Sequence, residues 1–231
     1  MDGPSRRLVV SKPWRSALAL VVAVACGAAH GGCGESTDAT GAPAATEACA
    51  LPGRVRRLTR AELDAAASAL VGPTTLFTDS LAAEDRPLGF DNHDGLVVSG
   101  LLLDQLAVVS NKLADRVVAD ARWSCSGEER GCFDAFVNDF VTRAYRRPVT
   151  AEERDGLFAV FQAGRDGADY AAGLHLVVEA VFQSTGFLYR TELGAEGAAG
   201  VRRLEAHELA SELSFLITGG PPDDELMRAA S

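Results

Sequence analysis

The chain has 231 residues, 47% of them hydrophobic, so it can bury one core or two small ones and is not a disordered protein. Its 32 acidic and 22 basic side chains give a formal net charge of −10. This acidity argues against nucleic acid as a partner, because binding to a polyanion depends on clusters of basic residues.

The N-terminal segment predicts export. Residues 1–33 place four basic side chains ahead of the apolar run ALALVVAVAC, which is too short to cross a bilayer. This is the layout of a secretory signal peptide. Cysteines follow the apolar run at Cys26 and Cys33, so the sequence favours a lipoprotein signal with one of these two thiols as the lipid acceptor. Ordinary cleavage after a small residue is the alternative. The expected location is the periplasm or, as a lipoprotein, the outer membrane or cell surface, with membrane contact only through the signal or the lipid.

The rest of the chain divides into a tether and three helical segments. Residues 34–50 lack large apolar groups and are predicted to be a flexible tether. We expect an N-terminal helical domain at 51–122, a helical hairpin domain at 123–164 and a C-terminal helical domain at 165–231. The last of these ends in a short helix with nothing after it to pack against, so we expect this domain to be truncated.

Apolar residues recur at helical spacing, without period-two alternation, which predicts an all-α, multi-helix bundle-like assembly after the signal peptide and tether. Thr59 with Glu62, and Thr150 with Glu153, match the capping box that opens a helix. A long helix is expected from about Ser99 to Ala121. The side chains expected to face the core are Leu63, Ala66, Ala67, Leu70, Leu102, Leu106, Val109, Leu113, Val117, Phe133, Phe136, Val137, Phe140, Val141, Ala144, Leu157, Val160, Phe161, Tyr170, Leu174, Val177 and Val181.

Two of the five cysteines are predicted to pair. Cys125 and Cys132 flank a short polar loop between two helices, and an exported protein sits in an oxidising compartment. A disulfide here would stabilise the fold by about 2–3 kcal/mol. Two reduced thiols are the alternative, and the pairing of Cys49 stays open. The sequence contains no CxxCH motif, so covalent haem is not expected on this chain, and any other cofactor is unknown.

The stretch GFDNHDG is the first candidate binding loop. Asp91, Asn92 and Asp94 offer oxygen ligands, but their register does not fit a calcium loop of the EF type. Asp-Asn and Asp-Gly steps more often form firm turns, since their side chains bond to their own backbone. We therefore interpret the stretch as a structural turn with Phe90 anchored in the core, and a looser carboxylate site stays open.

The stretch RAYRRP is the second candidate site. Arg143, Arg146 and Arg147 come at the end of the third predicted helix, which Pro148 terminates, and cations there complement the helix dipole. One interpretation is a salt-bridge cluster with acids such as Glu153. The other is a site for an anion or carboxylate.

No motif identifies a catalytic centre. The chain lacks GxSxG, HExxH and CxxC, so it offers no catalytic or metal-binding residues by these patterns. His175, between two leucines on a helix, is interpreted as a satisfied, partly buried side chain. His207, beside two glutamates near a helix start, is expected to be exposed.

Several longer motifs resemble a known family. RAYRRPVT, FLYR and PDDEL, in that order between Arg56 and Ala230, resemble successive domains of unknown function in secreted proteins that are often fused to planctomycete-type cytochrome c modules. Two positions depart from the pattern: Thr185-Gly186 replaces a serine-proline, and LSFLIT lacks a terminal aromatic. The resemblance implies a helical, extracytoplasmic protein, commonly a lipoprotein, and supplies no catalytic residues.

These observations predict an exported helical protein of unknown biochemical activity that acts as a cell-envelope interaction or accessory module. One alternative is the scaffold portion of an extracytoplasmic redox system, with a c-type cytochrome or another envelope protein as partner. The other is a surface lipoprotein that binds a glycan or a peptide. An aromatic platform for a glycan would depend largely on Trp123.

Overall fold

A computed structural model describes residues 53–90, 93, 95–195 and 202–231. Ala50–Ser231 forms one compact unit. The predicted signal peptide with Cys26 and Cys33, the tether and Cys49 lie outside the described residues. The described elements are β1 (Arg54–Arg57), α1 (Arg60–Val71), α2 (Leu76–Ser80), α3 (Gly100–Val118), α4 (Glu129–Phe136), α5 (Thr142–Tyr145), α6 (Ala151–Arg165), α7 (Tyr170–Gln183), α8 (Thr185–Leu188), β2 (Tyr189–Glu192), α9 (Ala206–Thr218) and α10 (Asp224–Ala229), with short 3-10 turns at Pro87–Gly89 and Ala121–Trp123.

The predicted helix starts are confirmed. In α1 the Glu62 amide donates to the Thr59 hydroxyl at 3.2 Å, and the Glu62 carboxylate accepts from the Thr59 amide at 2.8 Å. The same reciprocal pair, Thr150 and Glu153, opens α6. Helix α3 begins at Gly100 with Ser99 as its cap, close to the predicted start at about Ser99, and it ends at Val118, before the predicted end at Ala121. Each cap satisfies backbone donors that the first helical turn leaves free, which is why these starts can be predicted locally.

The core is a single cluster to which all three predicted segments contribute, for example through Leu63, Phe133 and Leu174. The division at 122 and 164 therefore stays a sequence-based prediction within one compact unit. The side chains expected in the core are buried, except Val160 and Tyr170, which are partly buried. Helix α7 packs against both α3 and α6.

Helices α4 and α5 are parts of one helical stretch, joined through a π-helical turn at Val137–Val141. The turn adds a residue to the helical repeat, and Val137, Phe140 and Val141 are all buried there. The stretch ends at Tyr145, earlier than Pro148, because Arg146 adopts a left-handed conformation with φ of 58°. The predicted disulfide is present, and it links Cys125 in the preceding loop to Cys132 in the first turn of α4.

The fold is mostly helical, which broadly fits the expectation of an all-α protein, and it also contains two short strands that the sequence did not predict. Strands β1 and β2 pair antiparallel, with Val55 opposite Thr191 and Arg56 opposite Arg190. Each strand has only four residues, and the hydrophobic alternation that identifies a strand in a sequence is absent from both. The sheet joins the start of the described fold to the segment that follows α8.

The expectation that Phe90 anchors in the core is also wrong, since this side chain is 67% exposed. Asp91, Asn92 and Asp94 lie outside the described residues, so a binding role for this loop stays a prediction. His93 lies within 3.1 Å of the Asp85 carbonyl through Nε2, and it accepts the Gly95 amide at Nδ1. These bonds hold a local turn, whereas the aromatic ring next to it projects from the fold.

Candidate functional site

A cavity of about 830 Å³ lies beside the two-stranded sheet. Its walls come from strand β2, from helix α9 and from the turn that links α5 to α6, and it is called the β2–α9 cavity below. Residues that line it include Tyr145, Arg146, Thr191, Arg202, His207 and Ser211. Its volume is within the range typical of sites for small molecules.

Arg146 forms one wall of this cavity and is only 4% exposed. Its guanidinium group donates to the carbonyl oxygens of Ala144 at 3.0 Å, Gly186 at 2.9 Å and Tyr189 at 2.8 Å, with a further bond to Phe187 at 3.2 Å. Within the described part of the chain, no carboxylate forms an ion pair with it. Burial, and then the neighbouring cation, lowers the pKa of this guanidinium to about 10. Arg146 is thus a buried cation that is hydrogen-bonded to carbonyl oxygens, and the Glu62 carboxylate acts on it electrostatically without forming an ion pair.

The other two arginines of RAYRRP have different surroundings. Arg147 also lines the cavity, but it donates to both carboxylate oxygens of Glu153, at 2.6 and 2.9 Å. This bond is the main reason that the pKa of Glu153 falls to about 2. Arg143 instead donates to the Ala69 carbonyl at 2.7 Å, away from the cavity. The salt bridge expected with Glu153 is therefore present, whereas the structure does not gather Arg143, Arg146 and Arg147 into one anion site.

Helix α9 contributes two side chains with unused hydrogen-bonding atoms. Ser211 is 7% exposed, and its hydroxyl has no hydrogen-bond partner. One turn earlier, His207 is half-buried, and its Nδ1 atom is buried without a partner. Both line the β2–α9 cavity. Both atoms are fully buried, so they lie behind the cavity surface and are not open to a ligand in the cavity. They are unusual because buried polar atoms are almost always paired in folded proteins.

The expectation of an exposed His207 is wrong because of how α9 begins. Glu205 and Glu208 occupy the capping positions, which turns the intervening histidine towards the buried side of the helix. The Glu208 carboxylate also accepts the amides of Leu193 and Gly194, both at 2.9 Å. This side chain thereby ties the end of β2 to the start of α9 and fixes two walls of the cavity relative to each other.

A network of charged groups lies behind the cavity. Arg190, which lines it, is 4% exposed and lies 3.4 Å from both Glu62 and Glu212. Its guanidinium also lies over the Phe215 ring, 4.6 Å from the centroid, and its Nε atom has no hydrogen-bond partner. Burial, and then the nearby Glu192 carboxylate, raises the pKa of Glu212 to about 7. The network couples the sheet to α1 and α9.

A second, smaller cavity of about 220 Å³ opens on the other side of Arg190. Arg56 and Glu212, 3.7 Å apart, form its polar wall. Leucines of α9 form the apolar wall, and the outer face of this helix continues into exposed side chains, with Leu216 82% exposed and Ile217 76% exposed.

Other residues discussed from the sequence lie away from the cavity. His175 contacts Asp115 and Glu179, each at 3.2 Å, which confirms a partly buried, satisfied histidine. Trp123 packs edge-on against Phe136, with ring centroids 4.9 Å apart, so its ring is engaged in the core rather than open as a platform. Among the residues that the structure describes, no group of side chains is suited to hold a metal ion. No helix in the same part of the chain is long and apolar enough to cross a membrane.

Sequence reasoning did not single out Ser211 and Glu212, and it quoted Arg190 only as part of a motif. The sequence feature that could have identified Arg190 is its position directly after the apolar run GFLY. Ser211 and Glu212 could have been found from their spacing along α9. Ala210, Ser214 and Phe215 define the buried side of this helix, and Ser211 lies on the same side next to Glu212. Their role depends on β2, which the sequence did not predict.

Two family models match the chain. Residues 56–119 match the model described as PSD3, protein of unknown function (DUF1587), and residues 132–192 match PSD5, protein of unknown function (DUF1595). The chain therefore carries two domains of unknown function of the planctomycete cytochrome c-associated kind, which confirms the resemblance at that level. No curated protein and no solved structure matches the chain significantly. Both matches end before α9, so the wall that carries His207 and Ser211 lies outside them.

Proposed function

We propose that this chain is an exported binding module of the cell envelope, with the β2–α9 cavity as its recognition site. The observation that carries the proposal is a cavity of about 830 Å³ whose walls are held in place by Arg146 and Glu208. The apolar leader and the tether predicted from the sequence support export and an accessory role at the membrane surface.

The walls of the cavity are held in place before any ligand arrives, which favours binding. Arg146 fixes the turn after α5 to the carbonyls around α8, and Glu208 fixes β2 to α9. A site whose walls are already ordered loses little conformational entropy when it is occupied.

The test compares two buried serines of α9 in the full-length chain. Ser211 lines the cavity, whereas Ser214 is equally buried but lies outside it. We expect thermal-shift and calorimetric screening of small polar molecules to yield ligands whose affinity falls in Ser211→Ala and is unchanged in Ser214→Ala. A screen without such a ligand would overturn the proposal.

A second candidate function is docking of an envelope protein such as a c-type cytochrome. It is favoured by the outer face of α9, where Leu209, Leu213, Leu216 and Ile217 are exposed at helical spacing. Exposed apolar surface of this kind marks protein interaction sites, and the matched domains are associated with cytochrome c modules. Co-expression with a neighbouring c-type cytochrome should give a co-purifying haem absorbance that Leu216→Lys reduces. Purification without haem absorbance would count against this role.

A further inference from the structure

We propose that a short, extended segment of another polypeptide binds in the β2–α9 cavity by pairing its backbone with Thr191 on the outer edge of β2. This inference rests on the proposed function, since it names the class of ligand that the same cavity takes. The register of the two strands, the side chains that close the ends of this edge and the surroundings of its open position support the inference.

The register of the sheet leaves the backbone of Thr191 unused. The Leu58 amide donates to the Leu188 carbonyl at 2.8 Å, and these two residues continue the register of β1 and β2. In an antiparallel pair, hydrogen-bonded positions alternate with positions whose N–H and C=O groups point away from the partner strand. Arg190 is therefore bonded to β1, whereas the amide and the carbonyl of Thr191 point outwards. No group in the described part of the chain bonds to either of them.

Side chains close this outer edge at both ends and leave only its middle open. At one end the Tyr189 carbonyl accepts from the Arg146 guanidinium at 2.8 Å. At the other end the Leu193 amide donates to the Glu208 carboxylate at 2.9 Å. The outward groups of β2 therefore face the β2–α9 cavity, because Arg146, Glu208 and Thr191 all line it. The open gap is one residue wide, so it suits a short segment and not a long strand.

An antiparallel segment fills this gap with a single residue. One residue of the ligand can donate to the Thr191 carbonyl and accept from the Thr191 amide, as in a hydrogen-bonded pair of an antiparallel ladder. A parallel segment would need two residues, and its slanted bonds would lean towards the ends that Arg146 and Glu208 already occupy. Thr191 is exposed, which leaves this part of the edge accessible from solvent.

The neighbours of the open position favour an apolar or β-branched side chain on the ligand. Paired residues place their side chains on the same face, so the residue opposite Thr191 would have Tyr189 and Leu193 as its diagonal neighbours. Leu193 and Val55 are both about half exposed beside the cavity. Residues 34–50 of this chain lack Val, Ile and aromatic side chains, which favour strand pairing, so they are a poor candidate for the occupant.

The charges around the cavity favour a neutral backbone over an ion. The lining cations Arg146 and Arg202 are offset by the lining acids Glu205 and Glu208. The other two arginines that line the cavity form ion pairs with carboxylates. With the two signs in balance, the cavity gives no net attraction to a cation or to an anion. A peptide group is neutral and supplies both the donor and the acceptor that the open position requires.

The first measurement is amide hydrogen exchange by NMR in the isotope-labelled full chain. Without ligand, the Thr191 amide should exchange at least about tenfold faster than the amides of Arg190 and Glu192, which are bonded to β1. The probe is the capped tripeptide acetyl-Ser-Val-Ser-amide, whose central valine pairs with Thr191. Its addition should slow exchange at Thr191. Exchange at Val55, whose amide points away from β2 on the opposite edge of the sheet, should be unchanged.

Matched variants of the peptide and of the protein identify backbone pairing. N-methylation of the central valine removes the amide that donates to Thr191 and should weaken binding at least about fivefold. N-methylation of either serine should change binding less than about twofold, because those amides point away from β2. Thr191→Pro removes the donor of the protein at an edge position where proline is tolerated, and it should weaken binding about fivefold. Thr191→Val keeps the amide and should bind as the parent does.

The outcomes separate this inference from the proposed function. If the Thr191 amide is already protected in the full chain without peptide, the edge is occupied and the inference is overturned. If the tripeptide binds but tolerates N-methylation of its valine, or binds Thr191→Pro as well as the parent, it is not held by backbone pairing. The inference is then overturned and the binding function is kept. If the tripeptide does not bind, the inference is overturned, and the screen of small polar molecules alone decides the proposed function.

Discussion

Replacement of Arg146 tests whether this residue holds the cavity together. Arg146→Ala removes the donor for the carbonyl oxygens of Ala144, Gly186 and Tyr189 in a buried environment. Leaving a buried acceptor without a partner costs about 1–3 kcal/mol, and such costs do not add fully. The left-handed backbone conformation is equally unfavourable for alanine and arginine, so it does not offset the loss. We expect the free energy of unfolding to fall by about 3–5 kcal/mol.

The neighbouring arginine is the matched control. Arg147 forms a partly exposed ion pair with Glu153, so Arg147→Ala should lower the free energy of unfolding by only about 0.5–1 kcal/mol. Urea unfolding followed by circular dichroism, with the disulfide kept oxidised, gives both values. If Arg146→Ala does not fold, Arg146→Lys is used, since it keeps the charge but cannot reach three carbonyls with a planar fork. A loss from Arg146→Lys no larger than that from Arg147→Ala would refute the reasoning.

Three further predictions concern other parts of the chain. The pKa of Glu212 is raised to about 7 in the folded protein, so its stabilising contribution is complete below about pH 4.5 and is lost as the pH rises through about 7. After allowance for solvent screening, this loss of unfolding free energy is about 1–2 kcal/mol. Glu212→Gln should flatten the change in unfolding free energy between about pH 5 and about pH 8, and an unchanged slope would show that the assignment to Glu212 is wrong. A Cβ atom at Gly173 would lie 2.8 Å from a carbonyl oxygen of α6, so Gly173→Ala should destabilise by about 1–3 kcal/mol, whereas Gly156→Ala, where the added atom meets nothing within 4 Å, should be neutral or stabilising in urea unfolding. Of Cys26→Ser and Cys33→Ser, only the variant that removes the lipid acceptor should lose membrane partition after fractionation, and retention by both variants would contradict a lipid anchor at either position.

The features predicted correctly are those that depend on neighbours in the sequence. The capping boxes at Thr59 and Thr150 satisfy backbone donors within one turn, and the apolar faces of α1 and α3 follow the helical repeat. The disulfide between Cys125 and Cys132 closes a loop of few residues. None of these features requires knowledge of a distant segment, which explains why a single sequence was sufficient.

The features that were missed depend on contacts between distant segments. Strands β1 and β2 carry mainly polar side chains, and each becomes a strand only because the other is beside it. Arg146, from the turn after α5, and Ser211, on α9, line the same cavity although they are far apart in the sequence. A run of arginines in a sequence does not show that one of them will bind backbone carbonyls while the next binds a carboxylate. Their separate roles follow from the tertiary packing alone.

The two-stranded sheet also determines when the cavity can form during folding. Pairing of β1 with β2 closes a loop of about 130 residues, a contact of long range that forms slowly compared with helices. Because β1 precedes α1 and β2 follows α8, the strands cannot meet until the helices between them have been synthesised or translocated. A ligand of the cavity therefore encounters only molecules in which β1 and β2 have paired, and its occupancy would report on what fraction of molecules has made this contact.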